Sequence, residues 1–174
     1  MRSHFNIPRS EFVKATFFTF KILLFFSIFI TLLSFINLYP LKVFVAKGVS
    51  FLLTLFGVPH VLIFSSPEPS IFVDNVEAQI KDLCVGHMEI ALICSIILAC
   101  DDRSVKSRVL GAFCSIPFVF FLNPLRISVV LFFGHYFSWP FADFIHDVLF
   151  RLTLFIVILI YFLIWYVLSW KFKL

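Results

Sequence analysis

Long apolar runs separated by short charged segments dominate the chain, and their lengths predict helices that cross a membrane. The first run, residues 15–38, follows three basic residues and exceeds the ~20 residues that a span requires. No small-residue cleavage site precedes Tyr39-Pro40, so we predict an uncleaved span and not a secretory signal. About four crossings are expected in all, with the further spans at 83–100, 109–122 and 148–170.

Two other apolar stretches are predicted to lie at the membrane interface. Residues 41–56 contain Lys42 and Lys47, which favours a helix in the outer interface with its lysines extended toward the head groups. Residues 126–137 would form a helix only ~18 Å long, well short of a ~30 Å hydrocarbon core. We interpret this second stretch as an interfacial or re-entrant helix that starts after Asn123-Pro124 and ends before Trp139-Pro140.

Between residues 58 and 82 the pattern changes to short β-prone runs. Residues 61–64 and 70–73 are separated by Ser-Ser-Pro-Glu-Pro, which predicts a small β-hairpin. Most charges of this segment are acidic, whereas basic residues occur at 103–108 and 171–173. Because basic loops favour the cytoplasm, the hairpin is predicted outside and both termini inside.

Composition mainly excludes other classes of protein. The chain is 61% hydrophobic with 27 Phe, whereas soluble domains are about 45–50% apolar. We therefore predict an α-helical polytopic membrane protein with one integral membrane domain over 1–174. The net charge of +4 comes from residues scattered at segment ends, so no nucleic-acid partner is expected. The four cysteines show no CxxC pair or zinc-ligand spacing, so we expect neither a metal nor a cofactor.

Three reactive side chains fall at one predicted membrane level: Cys84, Arg126 and His146. Cys84 is predicted at a helix N-terminus, where backbone N–H groups and the helix dipole favour the thiolate. Taken singly, Arg126 is more often a membrane anchor and His146 an interfacial polar residue. Together they supply the nucleophile, base and cation of acyl transfer through a thioester. The remaining cysteines are interpreted as packing residues: Cys94, Cys100 and Cys114.

The order of these motifs resembles that of the exosortase/archaeosortase family, membrane-embedded cysteine transpeptidases of bacteria and archaea. That family has a Cys-x-Gly at the outer start of a span, an Asn-x-x-Arg at the start of a later helix, and a His or Arg further on. The corresponding residues here are Cys84-Val85-Gly86, Asn123-Pro124-Leu125-Arg126 and His146. The likeness covers roughly residues 55–162 and includes the Leu-Phe-Gly-Val run at 55–58. Val85 departs from the usual Ser or Thr, and the glycine often found after the third catalytic residue is missing.

The resemblance implies that Cys84, Arg126 and His146 are catalytic in a cysteine protease or transpeptidase. The enzyme would be a multi-pass protein of the plasma or inner membrane, with its active site on the extracytoplasmic side. Its substrates would be exported proteins that end in a short motif, a membrane span and a basic tail. Cys84 would hold the cleaved protein as a thioester until a second nucleophile, with a membrane lipid among the candidates, released it.

Two residues remain alternatives for the third catalytic role. His87 follows Cys84 by three residues and is predicted on the same helix face, and Arg151 is an arginine of the kind that archaeosortases use there. A competing class of function is a non-enzymatic assembly factor or a small-solute carrier. The predicted spans are nearly free of charge at mid-depth, which counts against a carrier.

Overall fold

The computed structural model describes residues 9–171, without the side chains of 9, 149–151, 153–154 and 171, and is mostly helical. Its α-helices are α1 (Arg9–Leu33), α2 (Tyr39–Leu55), α3 (His87–Ala99), α4 (Val105–Tyr136) and α5 (Trp139–Lys171). Between α2 and α3 lie the strands β1 (Val61–Ile63), β2 (Ser70–Val73) and β3 (Val76–Gln79). A short 3-10 segment (Asp82–Val85) then leads from the sheet into α3.

Helix α3 is the centre of the helical bundle, because it packs against α1, α4 and α5. Its core is formed by apolar side chains of α3, α4 and α5, among them Ile93, Ile97, Val119, Ile158 and Trp165. The indole N–H of Trp165 donates to the Ser107 carbonyl at 3.1 Å. The same ring lies against Gly111, where an added Cβ would come within 2.2 Å of it. The close approach of α4 and α5 therefore requires a residue without a side chain at this point.

A second core joins α2, the sheet and the C-terminal part of α4. It contains apolar side chains of all three, including Val45, Val49, Leu53, Ile71, Val73, Ile80 and Leu131. The strands lie in the order β1-β2-β3 and are antiparallel throughout. Asp74, the first residue of the two-residue turn between β2 and β3, has φ +53°, as the first central position of a type II′ hairpin turn requires. Its carboxylate lies 3.1 Å from His135, which fixes the sheet to the end of α4.

Apolar side chains of α1 remain exposed along its length. Phe12, Phe17 and Leu23 are 64%, 62% and 61% exposed, which suits a hydrocarbon environment. Two helical stretches of the described residues are long and apolar enough to cross a membrane, Ser10–Leu33 and Val105–Tyr136. His87–Ala99 and Phe155–Trp170 are shorter apolar helices, so the number of four crossings stays a prediction.

The predicted division of residues 109–137 is wrong. Helix α4 is continuous from Val105 to Tyr136, so the predicted third span and the predicted interfacial helix are one element. Arg126 consequently lies inside a helix and not at its start. A proline normally interrupts a helix by removing a hydrogen bond and clashing with the preceding turn. Here Pro124 is buried, and it packs so closely on α2 that an added Cβ at Gly48 would lie 3.1 Å away.

Lys42 is also placed differently from the prediction. Its side chain is only 7% exposed and forms an ion pair with Asp82 at 2.7 Å. It also donates to the Pro67 carbonyl at 3.2 Å. Lys42 therefore joins α2 to the 3-10 segment instead of extending toward head groups, whereas Lys47 is exposed.

Two further boundaries differ from those predicted. The β-prone runs form β1 and β2, but β3 adds a third strand that the pattern did not predict. Helix α5 begins at Trp139 and not at residue 148, because a proline such as Pro140 fits the first turn of a helix.

Candidate active site

The predicted residues Cys84, Arg126 and His146 all line one cavity of about 900 Å³. Cys84 comes from the 3-10 segment, Arg126 from α4 and His146 from α5. Helices α4 and α5 form two walls of the cavity, and β3 with the residues that follow it forms the third. The fold therefore brings together three side chains that are far apart in the sequence.

Cys84 does not lie at the N-terminus of α3, which begins at His87. It belongs to the four-residue 3-10 segment, so the predicted activation by a helix dipole is not available to it. Burial raises the pKa of the Cys84 thiol, whereas a hydrogen bond from the Lys81 backbone and the positive charge of Arg126 lower it. Because the net direction is upward, the thiol is protonated at neutral pH and requires a base when it reacts.

Arg126 forms a buried ion pair with Glu89 at the edge of the cavity. The two side chains are 8% and 7% exposed, and Nη1 of Arg126 lies 3.5 Å from Oε1 of Glu89. Glu89 is in the first turn of α3, so the pair joins the central helix to α4. Glu89 is not among the predicted site residues, although a carboxylate in an apolar helix is a signal of a buried partner or a functional site.

The Cys-x-Gly and Asn-x-x-Arg motifs pack against each other. Gly86 has φ +82°, and an added Cβ there would lie 2.0 Å from Nδ2 of Asn123 and 2.6 Å from Val119. Glycine alone combines this left-handed backbone with such a close approach. Asn123 and Arg126 are three residues apart in a continuous helix and share one face of it. The contact at Gly86 therefore helps to fix how Arg126 faces Cys84.

His146 lies about two turns into α5, and its side chain is 58% exposed. Its Nδ1 atom lies 3.5 Å from Oδ1 of Asp147, and Asp143 and Asp147 line the cavity with it. The imidazole of His146 therefore borders the cavity and also reaches solvent.

The two alternatives for the third role are not equivalent. Nδ1 of His87 lies 3.1 Å from the Asp82 carbonyl, and its side chain lines a different pocket of about 570 Å³ beside α1 and α2. The predicted shared helix face of Cys84 and His87 is wrong, because Gly86 separates the 3-10 segment from α3. The side chain of Arg151 lies outside the described residues.

The other cysteines do not line the cavity. Cys94 and Cys100 are buried, and Sγ of Cys94 contacts the Ser115 hydroxyl at 3.4 Å. Cys114 is exposed on α4, so it does not pack inside the protein. Within residues 9–171, no cluster of three His, Cys, Asp or Glu side chains is placed to hold a metal ion.

Apolar helices around a cavity that holds a thiol, a guanidinium and an imidazole define a membrane protein with a candidate thiol-dependent site. The family model of the transmembrane exosortases (Exosortase_EpsH) matches residues 10–166. The chain therefore belongs to the transmembrane exosortase family. Comparisons with curated proteins and with solved structures gave no match. Family membership indicates a membrane protein with a transpeptidase-type function.

Proposed function

We propose that this exosortase cleaves exported proteins beside their C-terminal membrane span and transfers them to an acceptor. The observation that carries the proposal is the single cavity shared by Cys84, Arg126 and His146. A thiol, a fixed cation and an imidazole are the groups that acyl transfer through a thioester requires.

The reaction assigns one role to each side chain. Cys84 attacks the carbonyl carbon of the scissile peptide bond while His146 accepts the thiol proton. Arg126, held by Glu89, stabilises the negative charge that develops on the carbonyl oxygen. When the intermediate collapses, the C–N bond breaks, and His146 gives its proton to the amine of the leaving membrane tail. An acceptor amine then attacks the thioester carbon while His146 accepts the amine proton. The C–S bond breaks, and Cys84 leaves as a thiolate that regains this proton from His146.

We place the site at the extracytoplasmic surface of the plasma or inner membrane. Support comes from α4, which joins the cavity to the loop that carries Arg103. Arg126 lies ~32 Å along α4 from Val105, which is close to the ~30 Å thickness of a hydrocarbon core. The cavity and the basic loop are thus at opposite boundaries, and basic loops favour the cytoplasm.

The proposed substrates carry a C-terminal motif, a membrane span and a basic tail. Such a span would place the scissile bond at the membrane surface, at the level of the cavity. A membrane lipid with an amine head group is one candidate acceptor, since it would be present at the same level.

The test is the processing of exported proteins in cells that produce Cys84→Ala. Precursors that end in a span and a basic tail should accumulate uncleaved, because the variant lacks the nucleophile. Cys94→Ala, present at the same membrane abundance, is the matched control and should process them normally. Normal processing by Cys84→Ala would contradict the proposal and favour a non-enzymatic assembly role.

A further inference from the structure

Strand β3 turns its free edge toward the cavity. All six residues from 76 to 81 line the cavity. Successive side chains of a strand point to opposite faces, so a cavity above one face would be lined only by alternate residues. An unbroken row of lining residues indicates that the edge itself faces the cavity. In the described sheet β3 is an outer strand, with β2 on its other side.

The hydrogen bonds of the sheet identify the backbone groups on that edge. The Ile80 N–H donates to the Pro69 carbonyl at 2.9 Å, so Ile80 bonds on the side of β2. Bonded and non-bonded pairs alternate along an antiparallel ladder, which places the backbone groups of Ala78 on the same side. The N–H and C=O groups of Glu77 and Gln79 therefore point away from β2 and toward the cavity.

Lys81 is the next residue whose backbone groups point away from β2, and it lies beside Cys84. The Cys84 N–H donates to the Lys81 carbonyl at 2.9 Å, and the Lys81 backbone is near enough to the Cys84 thiol to lower its pKa. The outward backbone groups of Glu77 and Gln79 thus form a row that leads to the sulfur. Gln79 and Lys81 are separated by ~7 Å at ~3.3 Å per residue.

We propose that the substrate segment next to the scissile bond binds as an additional strand on the free edge of β3. The inference rests on the proposed function, since it states how that substrate reaches Cys84. A peptide paired with Glu77 and Gln79 would place its following residues at the sulfur. Strand addition supplies affinity through main-chain hydrogen bonds, and α4 and α5 form the opposite wall against which its side chains pack.

The occupant is an extended peptide and not a second copy of the sheet. The edge faces a cavity that is also bounded by Arg126 and Trp139, so a strand that enters must be free of its own sheet. A segment of an exported protein just outside its membrane span meets this condition. The free edge of 76–81, ~20 Å long, accommodates about six residues.

The test compares two substitutions at Gln79 in the full chain in cells. Its substrate is the exported protein that accumulates uncleaved with Cys84→Ala. Gln79→Pro removes the outward N–H, and a proline is tolerated there because the ladder to β2 does not use that group. Gln79→Ala removes the same side chain but keeps the N–H. We expect cleavage to be about tenfold or more lower with proline than with alanine, because proline alone removes the N–H that the substrate strand would use.

A proline scan of the substrate provides a measurement that does not depend on the folding of the variant. Only alternate residues of a paired strand donate to its neighbour, so cleavage should be lost at every second position before the scissile bond. Loss at consecutive positions would overturn strand pairing. If the Gln79→Pro variant does not accumulate in the membrane, the substrate scan is the deciding measurement.

The outcomes separate the two proposals. If Cys84→Ala cleaves normally, the proposed function is wrong. If Cys84→Ala blocks cleavage but Gln79→Pro and Gln79→Ala cleave equally, only strand pairing is wrong. If Gln79→Pro cleaves normally but changes the oligomeric state of the protein, strand pairing with the substrate is also wrong. The edge of β3 would then pair with a second copy of the chain.

Discussion

At the scale of single residues, the charges around Cys84 oppose each other. Burial is the largest influence and raises the pKa of the thiol, the positive charge of Arg126 lowers it, and the negative charge of Glu89 raises it. The effect of Arg126 on the pKa of the thiol is thus offset by the Glu89 carboxylate, which also holds Arg126 in place. A developing oxyanion would meet a positioned guanidinium, while the resting thiol stays protonated and unreactive.

Glu89→Gln should make the Cys84 thiol easier to alkylate and at the same time make cleavage slower. Loss of the carboxylate lowers the pKa of Cys84, so alkylation of the thiol should begin at a lower pH than in the parent. Cleavage should fall by about tenfold or more, because Arg126 loses the partner that positions it and one such donor is typically worth ~10²–10³ in rate. A merely structural role for Glu89 would not shift the pH profile of alkylation.

The measurement uses a parent protein in which Cys94, Cys100 and Cys114 are alanine, so that only Cys84 reacts. Glu89→Asp keeps the charge and serves as the control, with an alkylation profile near that of the parent. Because breaking a buried pair is destabilising, all variants are compared at equal membrane abundance. An unchanged alkylation profile in Glu89→Gln would show that the pair does not act on the thiol.

At the scale of elements, the turn at Gly86 connects the cysteine segment to the central helix and to α4. Gly86→Ala combines two costs: a left-handed backbone, about 1–2 kcal/mol for a residue with a Cβ, and a clash with Asn123 and Val119. The unfolding temperature in detergent should fall, and cleavage should fall with it.

Gly57→Ala is a matched control for this prediction. Gly57 also has a positive φ of +71°, but an added Cβ there would meet only Tyr136, at 3.8 Å. Gly57→Ala should therefore lower the unfolding temperature less than Gly86→Ala, because it has the cost of the left-handed backbone without the clash. Equal losses for the two variants would mean that the contact between the two motifs has no part in stability.

The sequence predicted elements where local pattern controls them, and it failed where distant contacts do. The apolar runs located α1 and α3, and the β-prone runs located β1 and β2. The sequence predicts a boundary between two helices at Asn123-Pro124, but the packing of Pro124 on Gly48 of α2 lets α4 continue. The Val-Glu-Ala-Gln sequence of β3 is not strongly β-prone by itself, and its pairing with β2 makes it a strand.

The candidate site was predictable in part for the same reason. The motif order located Cys84, Arg126 and His146, which line one cavity. Their partners depend on which helix faces meet, and a single sequence does not contain that information. Glu89 and the edge of β3 were missed for this reason.

At the scale of the whole molecule, the end of the bundle opposite the cavity is held by a polar cluster. Asp101 pairs with Lys21 of α1 and with Arg108 of α4. The Arg103 guanidinium lies 3.9 Å from the centroid of the Tyr166 ring of α5, within the range of a cation–π interaction. The loop between α3 and α4 is therefore fixed to α1 and α5 and keeps its basic residues at one end.

This arrangement predicts opposite accessibility for the sheet and the basic loop. Val61 in β1 and Val105 at the start of α4 are 60% and 65% exposed, so Val61→Cys and Val105→Cys form a matched pair in a cysteine-free parent. A membrane-impermeant maleimide should label Cys at 61 in intact cells and Cys at 105 only after permeabilisation, because basic loops are retained in the cytoplasm. Labelling at 105 from outside would reverse the orientation and place the cavity in the cytoplasm, where an exported substrate could not reach it.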